Sequence, residues 1–188
     1  MLIACEFSGI IREAFRQAGH HAISCDFKPT EIAGPHYQGD VRDLLYDGWD
    51  LMIAHPPCNA LCVSGARWMK EKKKKIEESL DFVSRLMCSP IPRICIENPK
   101  GILSTRMRKP DQIIHPWQFG HQEKKGTCLW LKNLPLLKPT CIIPEKQRHW
   151  QYVTGTNRQK AIQRSKTFKG IGKAMSEQWS KPMEILVQ

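Results

Sequence analysis

A chain of 188 residues, 41% hydrophobic and 25% charged, is sized for one domain with its own core and is too apolar to stay disordered. No apolar run reaches membrane-spanning length, and the first residues do not join a basic segment to a signal-type apolar one, so a cytoplasmic protein is expected. The formal net charge of +11 favours a polyanionic partner, nucleic acid first.

In chain order, residues 2–5 predict a strand, 6–9 a turn and 10–18 a helix. Ile11, Ala14 and Phe15 form the apolar face of that helix, with Arg12, Glu13 and Arg16 opposite. Gly19 stops it. Residues 21–25 predict a second strand with Asp26 at its tip. A strand, helix and strand in this succession mark a doubly wound sheet. Residues 39–43 read as the exit of a short third strand, and residues 49–54 as a fourth. A long helix follows over about 66–87, through Trp68, Ile76, Leu80, Val83 and Met87. The prolines at 90 and 92 end it. Residues 93–96 predict a fifth strand. Beyond Pro99 the pattern thins. Residues 127–131 read as a strand, 133–167 as basic and proline-containing without a period, and 168–179 as a helix through Ile171, Ala174, Met175 and Trp179. The expected architecture is a single α/β domain over residues 1–188, Rossmann-like, with a mostly parallel, doubly wound sheet.

Two of the apolar runs end in chemistry. The fourth strand runs into His55-Pro56-Pro57-Cys58, and the fifth into Glu97-Asn98-Pro99. Open parallel sheets bind ligands in the crevice at the carboxyl ends of their strands. If these strands are neighbours, a thiol and a carboxylate share that crevice. A thiol attacks, and an adjacent acid protonates what it has attacked. The pair suits covalent addition to an electron-poor heterocycle.

Eight cysteines are present, and none forms a Cys-x-x-Cys pair, so a metal site is not expected. Cys5, Cys25, Cys95 and Cys128 sit in apolar runs and read as small buried hydrophobes. Cys62 lies near Cys58 in sequence, but reduced thiols are expected in the cytoplasm.

Pro56-Pro57-Cys58, then Glu97-Asn98-Pro99 some forty positions on, together with Phe7-Ser8-Gly9 after the first strand, resemble the DNA cytosine-C5 methyltransferase family. The likeness is to its short, phage-type members. The resemblance implies a methyltransferase fold, S-adenosylmethionine as cofactor and DNA as partner. It makes Cys58 the nucleophile at cytosine C6 and Glu97 the acid at N3, its carboxyl raised by burial. Asn98 fixes the loop or meets the base edge. Glu6, Phe7, Ser8, Gly9 and Pro56 become cofactor contacts, with Asp26 at the ribose hydroxyls and Asp40 near the adenine amino group. Read from the residues alone, each Asp is equally a cap or turn former. Ser64 and Arg67 would contact DNA beyond the catalytic loop. Lys124 and Lys125 stand where many members have arginines, and Ile11 where a second cofactor-loop glycine is common. The segment 168–175 resembles the family's last motif, a helix under the cofactor site.

The large target-recognition domain of sequence-specific members is missing. Only residues 133–167 stand in its place, as a reduced DNA-contacting insert, so low sequence specificity is expected. Lys72–Lys75 reads as a solvated helix face and His121 as a polar surface residue. Two alternatives stay open: the same covalent chemistry on RNA or with another one-carbon donor, and an inactive nucleic-acid-binding module of the same fold.

Overall fold

Leu2–Ala4 (β1) and Leu51–Ala54 (β4) are buried along their whole length, as strands covered on both faces must be. In the computed structural model, which describes residues 1–61, 69–150 and 157–180, they are neighbours at the centre of a seven-stranded sheet. The other strands are Ile23–Asp26 (β2), His36–Gln38 (β3), Arg93–Pro99 (β5), Gln112–Ile114 (β6) and Thr127–Lys132 (β7). The order across the sheet is β3-β2-β1-β4-β5-β7-β6. The strands from β3 to β5 pair in parallel, with Ile3 opposite both Ser24 and Ile53, and Ile53 opposite Cys95. β7 runs antiparallel to both β5 and β6. Chain order reverses between β1 and β4, which opens a crevice at their carboxyl ends.

Helices cover both faces, as a doubly wound sheet requires. On one face, Ile10–Gln17 (α1) and Lys169–Trp179 (α5) pack Ile11, Phe15, Ala174, Met175 and Trp179 onto Ile3, Ile53, Cys95 and Leu129. On the other, Met69–Cys88 (α2) packs Ile76, Leu80, Val83 and Leu86 onto Leu2, Ala4, Met52, Ala54, Ile94 and Ile96. α1 has eight residues, too few to hold a helix in water. Its stability comes from Ile11 and Phe15, each worth about 1.5–3 kcal/mol on full burial.

Leu103–Arg106 (α3) and Asn157–Ser165 (α4) complete the helices named here. Residues 66–68 of the predicted second helix lie outside the described residues. No helix among the described residues is long and apolar enough to cross a membrane.

Two local readings change. Arg12, expected on the polar face of α1, is 0% exposed. Its Nη1 donates to Ser24 Oγ at 2.9 Å and Thr30 Oγ1 at 3.1 Å, its Nη2 donates to the Ile32 carbonyl, and its Nε pairs with Glu13 at 2.8 Å. A guanidinium offers five donors, and the loop after β2 supplies acceptors in number. That demand for acceptors is what folds the loop back over α1. Second, β5 runs three residues past its predicted end, because residues 97–99 pair with β7.

Candidate functional site

The carboxyl ends of β1, β2, β4 and β5 open into a cavity of about 610 Å³, within the range of small-molecule sites. One end is chemical. The His55 N–H donates to the Ala4 carbonyl at 2.9 Å, extending the β1–β4 ladder by a residue. Pro56 and Pro57 have no N–H to continue it, so the chain leaves the sheet and brings Cys58 to the cavity wall. The Leu61 N–H then closes a turn on the Cys58 carbonyl at 3.0 Å. Buried Asn98 donates from Nδ2 to the Pro56 carbonyl at 2.8 Å, which ties the ends of β4 and β5 together.

Glu97 lines the same wall, its side chain 20% exposed. Its Oε2 lies 3.1 Å from His55 Nδ1, and its Oε1 accepts from Thr127 Oγ1. Thr127 is held there by the pairing that sets it opposite Pro99 at the start of β7. Burial pushes the Glu97 carboxyl up, but the hydrogen bond and charge of His55, the charge of Lys125 and the Thr127 hydroxyl together bring it below the usual carboxylate range. This corrects the expected raised carboxyl: burial is present and is overcome. Two buried polar atoms here, His55 Nε2 and Asn98 Oδ1, have no hydrogen-bond partner among the described residues. Such atoms are costly, and a ligand edge that supplied them a partner would be recognised by them.

The other end is lined by a carboxylate and two aromatic rings. Asp26 ends β2 at the cavity wall; its Oδ1 caps the Lys28 N–H at 2.9 Å, so the turn-forming role is also filled. Phe27, 73% exposed, also lines the cavity, as does Phe7, with Lys28 Nζ 4.4 Å from its ring centre. Cys5, expected as a buried strand residue, instead turns the chain at φ 58 beside this wall. Cys25, Cys95 and Cys128 are buried as expected. The far side is closed by α4 and the start of α5, through Ile162, Lys166, Phe168 and Ile171.

Several residues assigned to the cofactor loop do other work. Glu6 is buried and accepts from Ser8 Oγ at 3.1 Å, the Ile11 N–H at 2.7 Å and the Arg12 N–H at 3.3 Å. It satisfies the open amides at the start of α1, with Ser8 bound to it. Gly9 has φ 74, and a Cβ there would lie 2.8 Å from Arg12 Nη2. The glycine makes room for the guanidinium. Asp40 is not part of the cavity wall. It caps the short 3-10 turn Val41–Leu44 through the Arg42 N–H at 2.9 Å and pairs with the Arg42 side chain, whose hydrogen bond lowers its carboxyl. Pro56 and Lys125 line the cavity and Lys124 does not. Ser64 and Arg67 lie outside the described residues.

His121, half-buried, is a joint. Its Nε2 accepts the Gly170 N–H at 2.9 Å, and its ring packs on Phe168 at 5.1 Å. A side chain at Gly170 would collide with the Phe119 carbonyl, so only glycine fits. The residues that sequence reasoning left without a role are His55, Thr127, Phe27 and Phe168. His55 carried a signal, its place directly before the two prolines. Thr127 carried one only once β7 was known to pair with β5.

Among the described residues, no group of three or more His, Cys, Asp or Glu is placed to hold a metal. No protein-family model matches the chain, and no curated protein matches it.

Proposed function

We propose that this protein is an S-adenosylmethionine-dependent methyltransferase that modifies C5 of cytosine in DNA through a covalent adduct on Cys58. The observation that carries the reading is that Cys58, Glu97 and Asp26 meet on one cavity where the strand order reverses.

The cavity suits the cofactor in part. Asp26, Phe7 and Phe27 line it, and in this reading Asp26 accepts from ribose hydroxyls while the two rings face a purine; Glu6, Ser8, Gly9 and Asp40 serve the fold. When bound, S-adenosylmethionine supplies an electrophilic methyl group. The protein's part is to make C5 of cytosine nucleophilic. The Cys58 thiolate adds to C6, electron density moves to C5, and N3 takes a proton. Glu97 acts at N3, and His55 Nδ1, 3.1 Å from its Oε2, orients the carboxyl that is held below its usual range. After methylation, water takes the C5 proton, the freed electron pair forms the C5–C6 double bond as Cys58 leaves C6 as a thiolate, and N3 gives its proton back, which restores the ring. A stacked cytosine cannot reach Cys58, so the base leaves the helix or comes from an unpaired strand.

DNA carrying 5-fluorocytosine tests this. Fluorine cannot leave C5 as a cation, so the adduct on Cys58 persists on a denaturing gel when S-adenosylmethionine is present. Cys58→Ser abolishes it. A cross-link that survives Cys58→Ser, or its absence from a wild type that methylates cytosine, overturns the mechanism.

A further inference from the structure

Residues 115–125 and 141–150 lie side by side along the rim of the cavity. The Ile143 N–H donates to the Trp117 carbonyl at 2.8 Å, the His149 N–H to the Gln122 carbonyl at 2.9 Å, and the Lys124 N–H to the His149 carbonyl at 2.9 Å. Pro116 and Lys125 of this strip also line the cavity. On it, the Arg148 guanidinium lies 3.7 Å from the Trp117 ring centre, fixed by its Nε bond to the Ile143 carbonyl at 2.8 Å. His115 stacks on the same indole, 5.6 Å between centres at 23°. Two residues beyond Arg148, Trp150 is 73% exposed.

We infer that this strip binds an unpaired nucleic-acid strand, with a base stacked on Trp150, and delivers the neighbouring nucleotide to the cavity. The strip carries Lys124, Lys125, Lys146 and Arg148 against Glu123 and Glu145, an excess that suits phosphates. Charge alone would serve a duplex equally. The indole decides between them. An exposed aromatic face beside a basic track engages the faces of bases, which a duplex hides within its own stack and a single strand presents. The inference deepens the reading of the cavity as a cytosine site and rests on it.

Fluorescence anisotropy with a short labelled cytosine-containing oligonucleotide tests it, as single strand, as duplex and as an abasic strand of equal length. Wild type binds the single strand most tightly. Trp150→Ala weakens that complex about tenfold, leaves the abasic strand and the salt slope unchanged, and Trp150→Phe restores most of the loss. Tighter duplex binding, an equal loss on the abasic strand, or no loss overturns the inference; no loss points to a protein partner for Trp150. The cavity reading fails separately: a protein that shows the Trp150 effect but forms no Cys58 adduct on 5-fluorocytosine DNA retains the strip and loses the cytosine chemistry.

Discussion

His55 Nδ1 stands 3.1 Å from Glu97 Oε2, across the ends of two adjacent parallel strands. The contact sets the ionisation of the candidate acid. Burial favours the neutral carboxyl, and His55 heads the groups that reverse that preference. Replacing His55 with Gln is therefore expected to raise the Glu97 carboxyl and to lower kcat while KM for DNA changes little. Glu97→Gln is expected to cost more, roughly 10²–10⁴-fold in turnover. Steady-state kinetics of the three proteins across pH decide the matter. A His55→Gln profile that superimposes on wild type would remove His55 from the mechanism.

The lowered carboxyl also carries a stability signature. Glu97 binds its proton less readily in the folded state than in the unfolded chain, so its contribution is present above the unfolded carboxylate range and is lost as pH falls through the lower folded value. The stability difference between wild type and Glu97→Gln is expected to be largest near neutrality and to shrink on acidification. Urea titrations at several pH values measure it. A difference that grows towards acid would contradict the assignment.

Thiol chemistry should separate the cysteines. Cys95 and Cys128 are buried, and burial raises both thiols; burial likewise pushes Cys25 up to about 12. Alkylation followed by peptide mapping is expected to label Cys58 together with exposed Cys88 and Cys141, and to spare those three. S-adenosylhomocysteine with DNA should protect Cys58 and leave Cys88 and Cys141 reactive. Protection of all three alike would indicate a global change and not occupancy of the cavity.

Two aspartates should part company. Asp26→Ala is expected to weaken S-adenosylmethionine binding about tenfold or more, as loss of a charged hydrogen-bond acceptor does. Asp40→Ala is expected to cost about 1 kcal/mol of stability as a lost cap and to leave binding nearly intact. Calorimetry and thermal melts read the two effects. Weaker binding in Asp40→Ala alone would restore the adenine contact that the resemblance implied.

Arg12 is expected to be a stability residue. Arg12→Met removes one donor each from the Ile32 carbonyl and Ser24 Oγ, and the nearer of two cations from Glu13, at about 3 kcal/mol. Gly9→Ala should also destabilise, since φ 74 is unfavourable to alanine. Denaturant unfolding checks both. Neutral outcomes would mean that the loop after β2 does not depend on the guanidinium.

The order of strands and helices through β5 was legible because each element there is a local pattern. Leu51–Ala54 is a continuous apolar run, and α1 repeats its apolar residues at helical spacing. That Cys58 and Glu97 share one crevice was legible for the same reason, each standing where such a run stops. What escaped depends on distant chain. β6 has three residues and exists by pairing with β7. Arg12 looks like any helix-surface arginine until the loop after β2 wraps it. The depressed Glu97 carboxyl requires His55, Lys125 and Thr127, two of them some thirty residues downstream. The resemblance makes Asp40 and Glu6 ligand contacts, and in sequence a carboxylate near a turn looks alike whether it meets a ligand or a backbone amide.

β7 follows both β5 and β6 in the chain, yet it lies between them in the sheet. During synthesis, β5 therefore waits as an unpaired edge, and β6 has no partner at all, until residue 132 has emerged. Such an edge is a template for aggregation. The nascent chain holds Cys58 and Glu97 well before the Thr127 hydroxyl that bonds the Glu97 carboxylate exists. Completion of the candidate site is thus a late event in biogenesis. A chain cut between residues 114 and 127 would divide Glu97 from Thr127, so that two fragments would have to associate, by strand insertion, before either could act.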